Sequence, residues 1–312
     1  MLGLKSCIID SLGFLGGQCK VLYAQKPIYD IPGFPSIKSE QLINNLVKQA
    51  EQFNATQYLN QKCILIIKKG NYWEIVTSKN TICTKSIVIA AGAGRFNPRK
   101  PPLNNIKHYE KTSIFYSVQD INLFKNKIVT IAGGGDSALD WAVVLASNIT
   151  KKVYLVHRRS NFRGAIRTVE KIKSLSKVGA IELITPYSLN KLEGDGRTLK
   201  KIEVKNLDNG TLKFESDYLL AFFGNSMDID PLNKWNLSLK NKYIVVNPES
   251  METNLRGVFA VGDICYYPGK LKLILTGFAE CARACHSAYN YINPNVAKHF
   301  EHSTNKSLFT NS

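Results

Sequence analysis

A chain of 312 residues with 44% hydrophobic and 21% charged content can bury a sizeable core, and its length suits about two domains. No stretch approaches the roughly 20 unbroken apolar residues a membrane helix needs, and the opening MLGLKSCIID lacks the features of a secretory signal, so no membrane partner and a cytoplasmic location are expected. The net charge of +17 is spread along the chain with no basic helix and no nucleic-acid reading motif, which argues against nucleic acid and leaves an acidic protein as the partner that charge would attract. Seven cysteines (7, 19, 63, 83, 265, 281, 285) never form a C-x-x-C pair, so reduced thiols are expected and neither a disulfide framework nor a metal site.

In chain order, short β-rich apolar runs alternate with helical patterns, the mark of α/β layering. Ser6–Asp10 reads as a strand followed by a Gly16-Gly17 turn. Leu42, Leu46 and Ala50 recur at helical spacing within 39–53, and Cys63–Ile67 and Trp73–Thr77 read as a hairpin. Ser86–Ala91 is a buried-strand candidate ending in Gly92-Ala93-Gly94, and the NPRKPP segment, 97–102, breaks regular structure as a linker would. A second module then begins with a strand at Lys127–Ala132, a glycine turn and a helix at Ser137–Ser147. It continues with Val153–Val156, a helix at Val169–Val178, Ile181–Pro186, a hairpin of Ile202–Asn206 with Lys213–Glu215, and Tyr218–Phe223. A last block runs from Val258–Val261 to a helix over Gly277–Tyr291.

The second module carries the chemistry. Gly133-Gly134-Gly135-Asp136-Ser137-Ala138 stands between a strand and a helix, the G-x-G-x-x-A form of a dinucleotide fingerprint in its proper context. Gly133 permits the tight turn, Gly135 leaves room for a pyrophosphate, and Ala138 lets helix and strand approach. With Asp136 and Ser137 they would place phosphates on the positive helix N-terminus. The next strand ends in His157-Arg158-Arg159, followed by Arg163, about where such a fold places its ribose selector. An acid there would favour NAD; arginine forks suit a 2′-phosphate, hence NADP(H). A solvated basic loop after an ordinary strand is the competing reading.

GGGDSA, HRRSNFR and GVFAVGDI together resemble the thioredoxin-reductase-like flavoproteins. Within that group, IIDSLGFLGGQCKVLYAQKPIYDIPGFP and VIAAGAGRFNPRKPPL are similar to the ferredoxin–NADP⁺ reductases of that fold. The resemblance implies two Rossmann-type, three-layer dinucleotide-binding domains, with an NADPH domain (108–248) inserted into a split FAD domain (1–107 and 249–312). It implies a homodimer, FAD held non-covalently, and electron transfer between NADPH and ferredoxin. The FAD contacts it implies are Asp10, Gln18, Tyr23, Cys63, Phe96, Asp263 and Thr304, with the helix near Thr276-Gly277 pointing its N-terminus at the flavin. Each of these alone would serve equally as a turn or capping residue, as Asp263 would at its turn, and Ser303-Thr304 would serve equally as a frayed terminus.

Two departures from the pattern bear on function. Where a thioredoxin reductase carries its redox C-x-x-C, just before the glycine-rich strand, this chain reads Ser113-Ile114-Phe115-Tyr116-Ser117-Val118, so a dithiol relay is excluded on chemistry. The pattern also places a strand and a first G-x-G-x-x-G about 20 residues before Asp10. The chain as given has neither, and weak FAD binding is the expectation. No acid, base or nucleophile is required, since hydride transfer is the cofactors' chemistry. An NADPH diaphorase acting on quinones and a non-catalytic nucleotide-binding remnant stay open as alternatives.

Overall fold

The structure is a computed structural model that describes residues 2–110 and 112–296. The chain forms two compact units: Met1–Phe96 joins Met227–Ser312 in one, and Asn97–Ser226 is inserted as the other.

The inserted unit is built on five parallel strands in the order Ile114–Phe115, Tyr218–Ala221, Ile128–Ala132, Lys152–Val156, Ile181–Ile184. These runs are almost wholly apolar because both faces of the sheet are covered. Side chains alternate between two cores. Val129, Ile131, Val153, Leu155 and Leu220 point to the helices Asp136–Ala146 and Ile166–Lys177, where they meet Leu139, Ala142, Leu145 and Ile172. Ala132, Tyr154, Val156, Leu219 and Ala221 point the other way, onto an antiparallel meander of Ser188–Gly194, Leu199–Lys205 and Thr211–Glu215. Most of these side chains are fully buried, each contributing about 1.5–3 kcal/mol relative to exposure. The buried Thr130 is satisfied by the Ser216 hydroxyl at 2.8 Å.

In the other unit, Cys7–Ile9 pairs in parallel with Thr56–Tyr58, and Ile87–Ile89 in parallel with Val258–Ala260, as two separate pairs among the described residues. A meander of Cys63–Lys69, Tyr72–Thr77 and Thr81–Thr84 covers one core. Ser39–Glu51 forms a helix because Leu42 and Leu46 share a face that packs on Ile31 and Ile37. A short helix, Gly17–Tyr23, stands where only a turn was expected. Gly16 admits it with φ 117°, and a Cβ there would lie 2.5 Å from Ile43. The long helix Ile274–Ile292 presents a buried stripe of Glu280, Ala284 and Ala288 to the unit. No helix among the described residues is long and apolar enough to cross a membrane.

The two units divide at Phe96/Asn97 and at Ser226/Met227, where the domain limits expected from the sequence are 107/108 and 248/249. Leu103, Ile106 and Tyr109 bury with Ile114 and Leu199 of the inserted unit, so that unit begins at Asn97, at the start of the NPRKPP segment. Trp235, Leu237, Ile244 and Val246 bury with Ile87, Val258 and Phe259, so the chain has already returned to the first unit at Met227.

Candidate functional site

The strand Ile128–Ala132 ends in a turn whose tightness is dictated by its neighbours. Gly133 donates its N–H to Val156 O at 3.0 Å. A Cβ on Gly133 would lie 2.7 Å from Phe222 O and 2.9 Å from the Ala138 Cβ. No side chain larger than hydrogen fits, and the buried Ala138 is the partner in that close approach. The helix begins at Asp136 with Gly135 as its N-cap and no side-chain cap, so its first N–H groups remain free to meet an anion. Over Gly135 the space is open: a Cβ there would meet nothing within 4 Å.

The loop after Lys152–Val156 folds back onto this turn. Arg163 N–H donates to Gly134 O at 2.7 Å, and Ala165 N–H donates to Asp136 Oδ1 at 2.9 Å. Arg158, Arg159 and Arg163 are exposed around the turn, as is Arg167 in the first turn of Ile166–Lys177, which sequence reasoning passed over. One loop thus carries several guanidinium groups next to an uncapped helix N-terminus, a donor set fitted to a nucleotide with a pyrophosphate and a further phosphate.

His157 does not join the arginines. Its ring is 7% exposed, stacks on Phe162 with centroids 5.4 Å apart, and lies directly beneath Gly134, where any Cβ would overlap it. Nε2 is buried with no hydrogen-bond partner among the described residues. Burial holds the imidazole below its ordinary pKa, and the charges of Arg163, Arg158 and Arg159 lower it further. A neutral ring in this position supports the turn from below. The need for glycine at 134 escapes a G-x-G-x-x-A reading because only the fold brings His157 under it.

In the first unit the residues implied by resemblance fall into two groups. Asp10 accepts the Leu12 N–H at 2.9 Å and stands near Cys63. Burial, then the neighbouring Cys7 and Asp10, push the Cys63 thiol up to about 11. Gln18 Nε2 donates to Gly94 O at 3.3 Å, tying the Gly17–Tyr23 helix to the end of the Ser86–Ala91 segment. Burial raises the Cys19 pKa, against the Ser39 hydrogen bond that lowers it, and the Asp263 charge adds to the rise. A Cβ added to Gly277, in the first turn of Ile274–Ile292, would lie 3.8 Å from Gly262 Cα, so that helix N-terminus also comes close to the Gly262-Asp263 turn; it too has no side-chain cap. Tyr23 closes the Gly17–Tyr23 helix and lies under Lys26, its ring centroid 5.8 Å from Nζ. The Phe96 side chain and Thr304 lie outside the described residues.

Beneath Asp263 lies a cluster that sequence reasoning missed. The buried Glu280 carboxylate accepts the Gly262 N–H at 2.7 Å and the Tyr267 hydroxyl at 2.8 Å, and forms an ion pair with the buried Lys270. Burial pushes Tyr267 and Cys265 up to about 12 each, and Glu280 reinforces both shifts. The signal was present in GFAECARAC: Glu280 falls on the same helical stripe as Gly277, Ala284 and Ala288. A charge on that stripe is buried with a partner.

The family model for the pyridine nucleotide-disulphide oxidoreductases matches residues 5–286. The chain is 48% identical over 307 residues to a protein of Rickettsia rickettsii (strain Iowa) named ferredoxin–NADP reductase, covering 98% of this chain and 90% of that one. A protein of the same name from Rickettsia typhi is 47% identical, covering 98% of this chain and 92% of its own length. Among solved structures, thioredoxin reductase from Lactococcus lactis superposes with a TM-score of 0.77 at 23% identity, covering 93% of this chain and 92% of its own. That from T. acidophilum gives 0.78 at 22%, covering 93% and 91%. At such identities these structures share the fold.

Proposed function

We propose that this chain, which belongs to the pyridine nucleotide-disulphide oxidoreductase family, passes electrons between NADPH and a ferredoxin by way of FAD. The observation that carries the nucleotide half is the loop of Arg158, Arg159 and Arg163 hung on the Gly133–Ala138 turn by the Arg163 N–H. It leaves cationic forks and free helix donors where a 2′-phosphate and a pyrophosphate would need them. The relatives' shared name supports the ferredoxin half. The net charge of +17 is of the sign that draws an acidic iron–sulfur protein.

FAD, when bound, would accept hydride as a pair of electrons and release them singly. Toward it, Asp10 offers a carboxylate for ribose hydroxyls, the Gln18–Gly94 contact holds a helix end in place, and Asp263 lies on a turn fixed by Glu280. The Ile274–Ile292 N-terminus favours negative charge beside that turn. Those residues fit the sugar and ring portions of a flavin nucleotide; a second glycine-rich cradle for its diphosphate is not among the described residues. A thiol relay is foreign to this site, because residues 97–226 contain no cysteine and Ile114–Phe115 is a strand of the parallel sheet. We further read the chain as a cytoplasmic homodimer, on its reduced thiols and the resemblance; sedimentation at micromolar concentration tests the dimer.

The activity test is NADPH-driven cytochrome c reduction in the presence of FAD, with and without ferredoxin. We expect a rate that requires ferredoxin and falls as salt rises from about 0.05 to 0.5 M, because steering of an acidic partner is screened. A rate indifferent to ferredoxin, with peroxide as product, would reject the proposal in favour of an NADPH diaphorase.

A further inference from the structure

Asp136 is a carboxylate in the first turn of a helix whose N-terminus faces open space over Gly135. For a phosphate site it has the wrong charge, since it opposes the anion that the helix dipole attracts. Its hydrogen-bond partner in the arginine loop resolves this. Oδ1 accepts the Ala165 N–H at 2.9 Å, and Ala165 closes the arginine loop just before the helix Ile166–Lys177. Arg163, two residues earlier, donates its N–H to Gly134 O at 2.7 Å. Gly164 lies between these two tethers. A Cβ on it would lie 2.5 Å from Leu139 Cδ1 and 3.2 Å from Asp136 Oδ1, and Leu139 is fully buried and has no room to yield. The loop comes down onto the first turn of the helix through both tethers, and it can do so because residue 164 has no side chain.

We propose that Asp136 is a positioning residue for cofactor specificity. It clamps the loop that carries Arg158, Arg159 and Arg163 at a set distance from the pyrophosphate turn, and so makes the 2′-phosphate of NADPH count. This rests on the NADPH reading above and adds to it the device that separates NADPH from NADH. Asp136 acts through the loop backbone and is not itself a phosphate ligand. The selectivity of the site is therefore lost when the loop is released, even with every arginine in place.

The test is the ratio of NADH to NADPH dissociation constants, measured on the full chain by nucleotide fluorescence, for the wild type and three variants. Asp136→Ala removes the acceptor. Ala165→Pro removes the donor without touching Asp136, at a φ of −55° that proline adopts readily. Asp136→Asn keeps an acceptor oxygen and removes the charge. We expect the wild type to prefer NADPH and Asp136→Asn to keep that preference. Asp136→Ala and Ala165→Pro should each lose about tenfold of the ratio, the scale of one hydrogen bond. If both retain the wild-type ratio, or weaken both nucleotides in parallel, the clamp is overturned while the NADPH reading stands. A wild type with no preference would overturn the NADPH reading and the clamp with it.

Discussion

Replacing Lys270 with methionine keeps the aliphatic stem and removes only the charge that faces Glu280. Both side chains of the pair are almost wholly buried, at 5% and 2% exposure. In the wild type, burial pushes the Glu280 pKa up. The hydrogen bonds from Lys270, Tyr267 and Gly262, with the Lys270 charge, more than offset this and bring it below the ordinary carboxylate value. A carboxyl whose folded pKa is depressed contributes stability that is present above its unfolded pKa of about 4.3 and is lost as pH falls through the folded value. In Lys270→Met the two contributions from Lys270 vanish, while those from Tyr267 and Gly262 stay, and the folded pKa rises. The variant therefore gains less stability than the wild type when Glu280 ionises, so its deficit is largest at neutral pH and shrinks as the carboxyl is protonated. Breaking one side of a buried pair costs about 3–5 kcal/mol, which for a unit of this size is roughly 6–20 °C in Tm. Urea unfolding reports it directly, because Trp73 and Trp235 lie in the core of the same unit. The double variant Lys270→Met/Glu280→Gln should recover most of the loss, since the amide oxygen still accepts the Gly262 N–H. A deficit under about 1 kcal/mol at pH 7.5, or one that does not shrink on acidification to about pH 5.5, would refute the account of this cluster.

Two other outcomes follow from the inserted unit. Gly134→Ala drives a methyl into the His157 ring, which is pinned by Phe162. The cost should be about 1–3 kcal/mol of overpacking, seen as a lower Tm with weakened NADPH binding; an unchanged Tm would mean that the ring moves freely. His157 has a folded pKa below its unfolded value of about 6.5, so its neutral form is the one the fold accepts. Stability is therefore fully present above about pH 6.5 and declines as pH falls from there through the folded value. The midpoint in urea should drop between pH 7.5 and 5.5, and His157→Gln should flatten that slope.

Much of the nucleotide site was legible before any coordinates, because its signals are local. A strand, a glycine turn and a helix are adjacent in sequence, and the hydrophobic run of 128–132 and the helical spacing after Asp136 need no distant partner to be recognised. The helix Ser39–Glu51 was readable for the same reason, since Leu42 and Leu46 mark one face. Less was legible where meaning depends on what a segment packs against. The meander strands Thr81–Thr84 and Ser188–Gly194 passed unnoticed, because short half-polar strands look like loops until their neighbours pair with them. Residues 227–246, grouped by sequence with the inserted unit, pack with the first one, since an apolar strand carries no label saying which core will receive it. Trp235 and Ile244 settle this only by meeting Ile87 and Phe259.

By itself the sequence determined the α/β class, the glycine turn between a strand and a helix, and the lack of any cysteine from 97 to 226, all of which depend on which residues follow one another. Only the tertiary structure decided which charges act as charges. His157 stands in a run of three basic residues, yet burial beneath Gly134 makes it neutral. Glu280 stands on a helix among small residues, yet Lys270 and the Gly262 N–H keep it ionised inside the protein. Asp136 stands in a phosphate motif, yet its carboxylate is engaged by Ala165. The physical reason is common to all three. Ionisation and hydrogen bonding respond to solvent exposure and to partners far along the chain, and folding alone creates both.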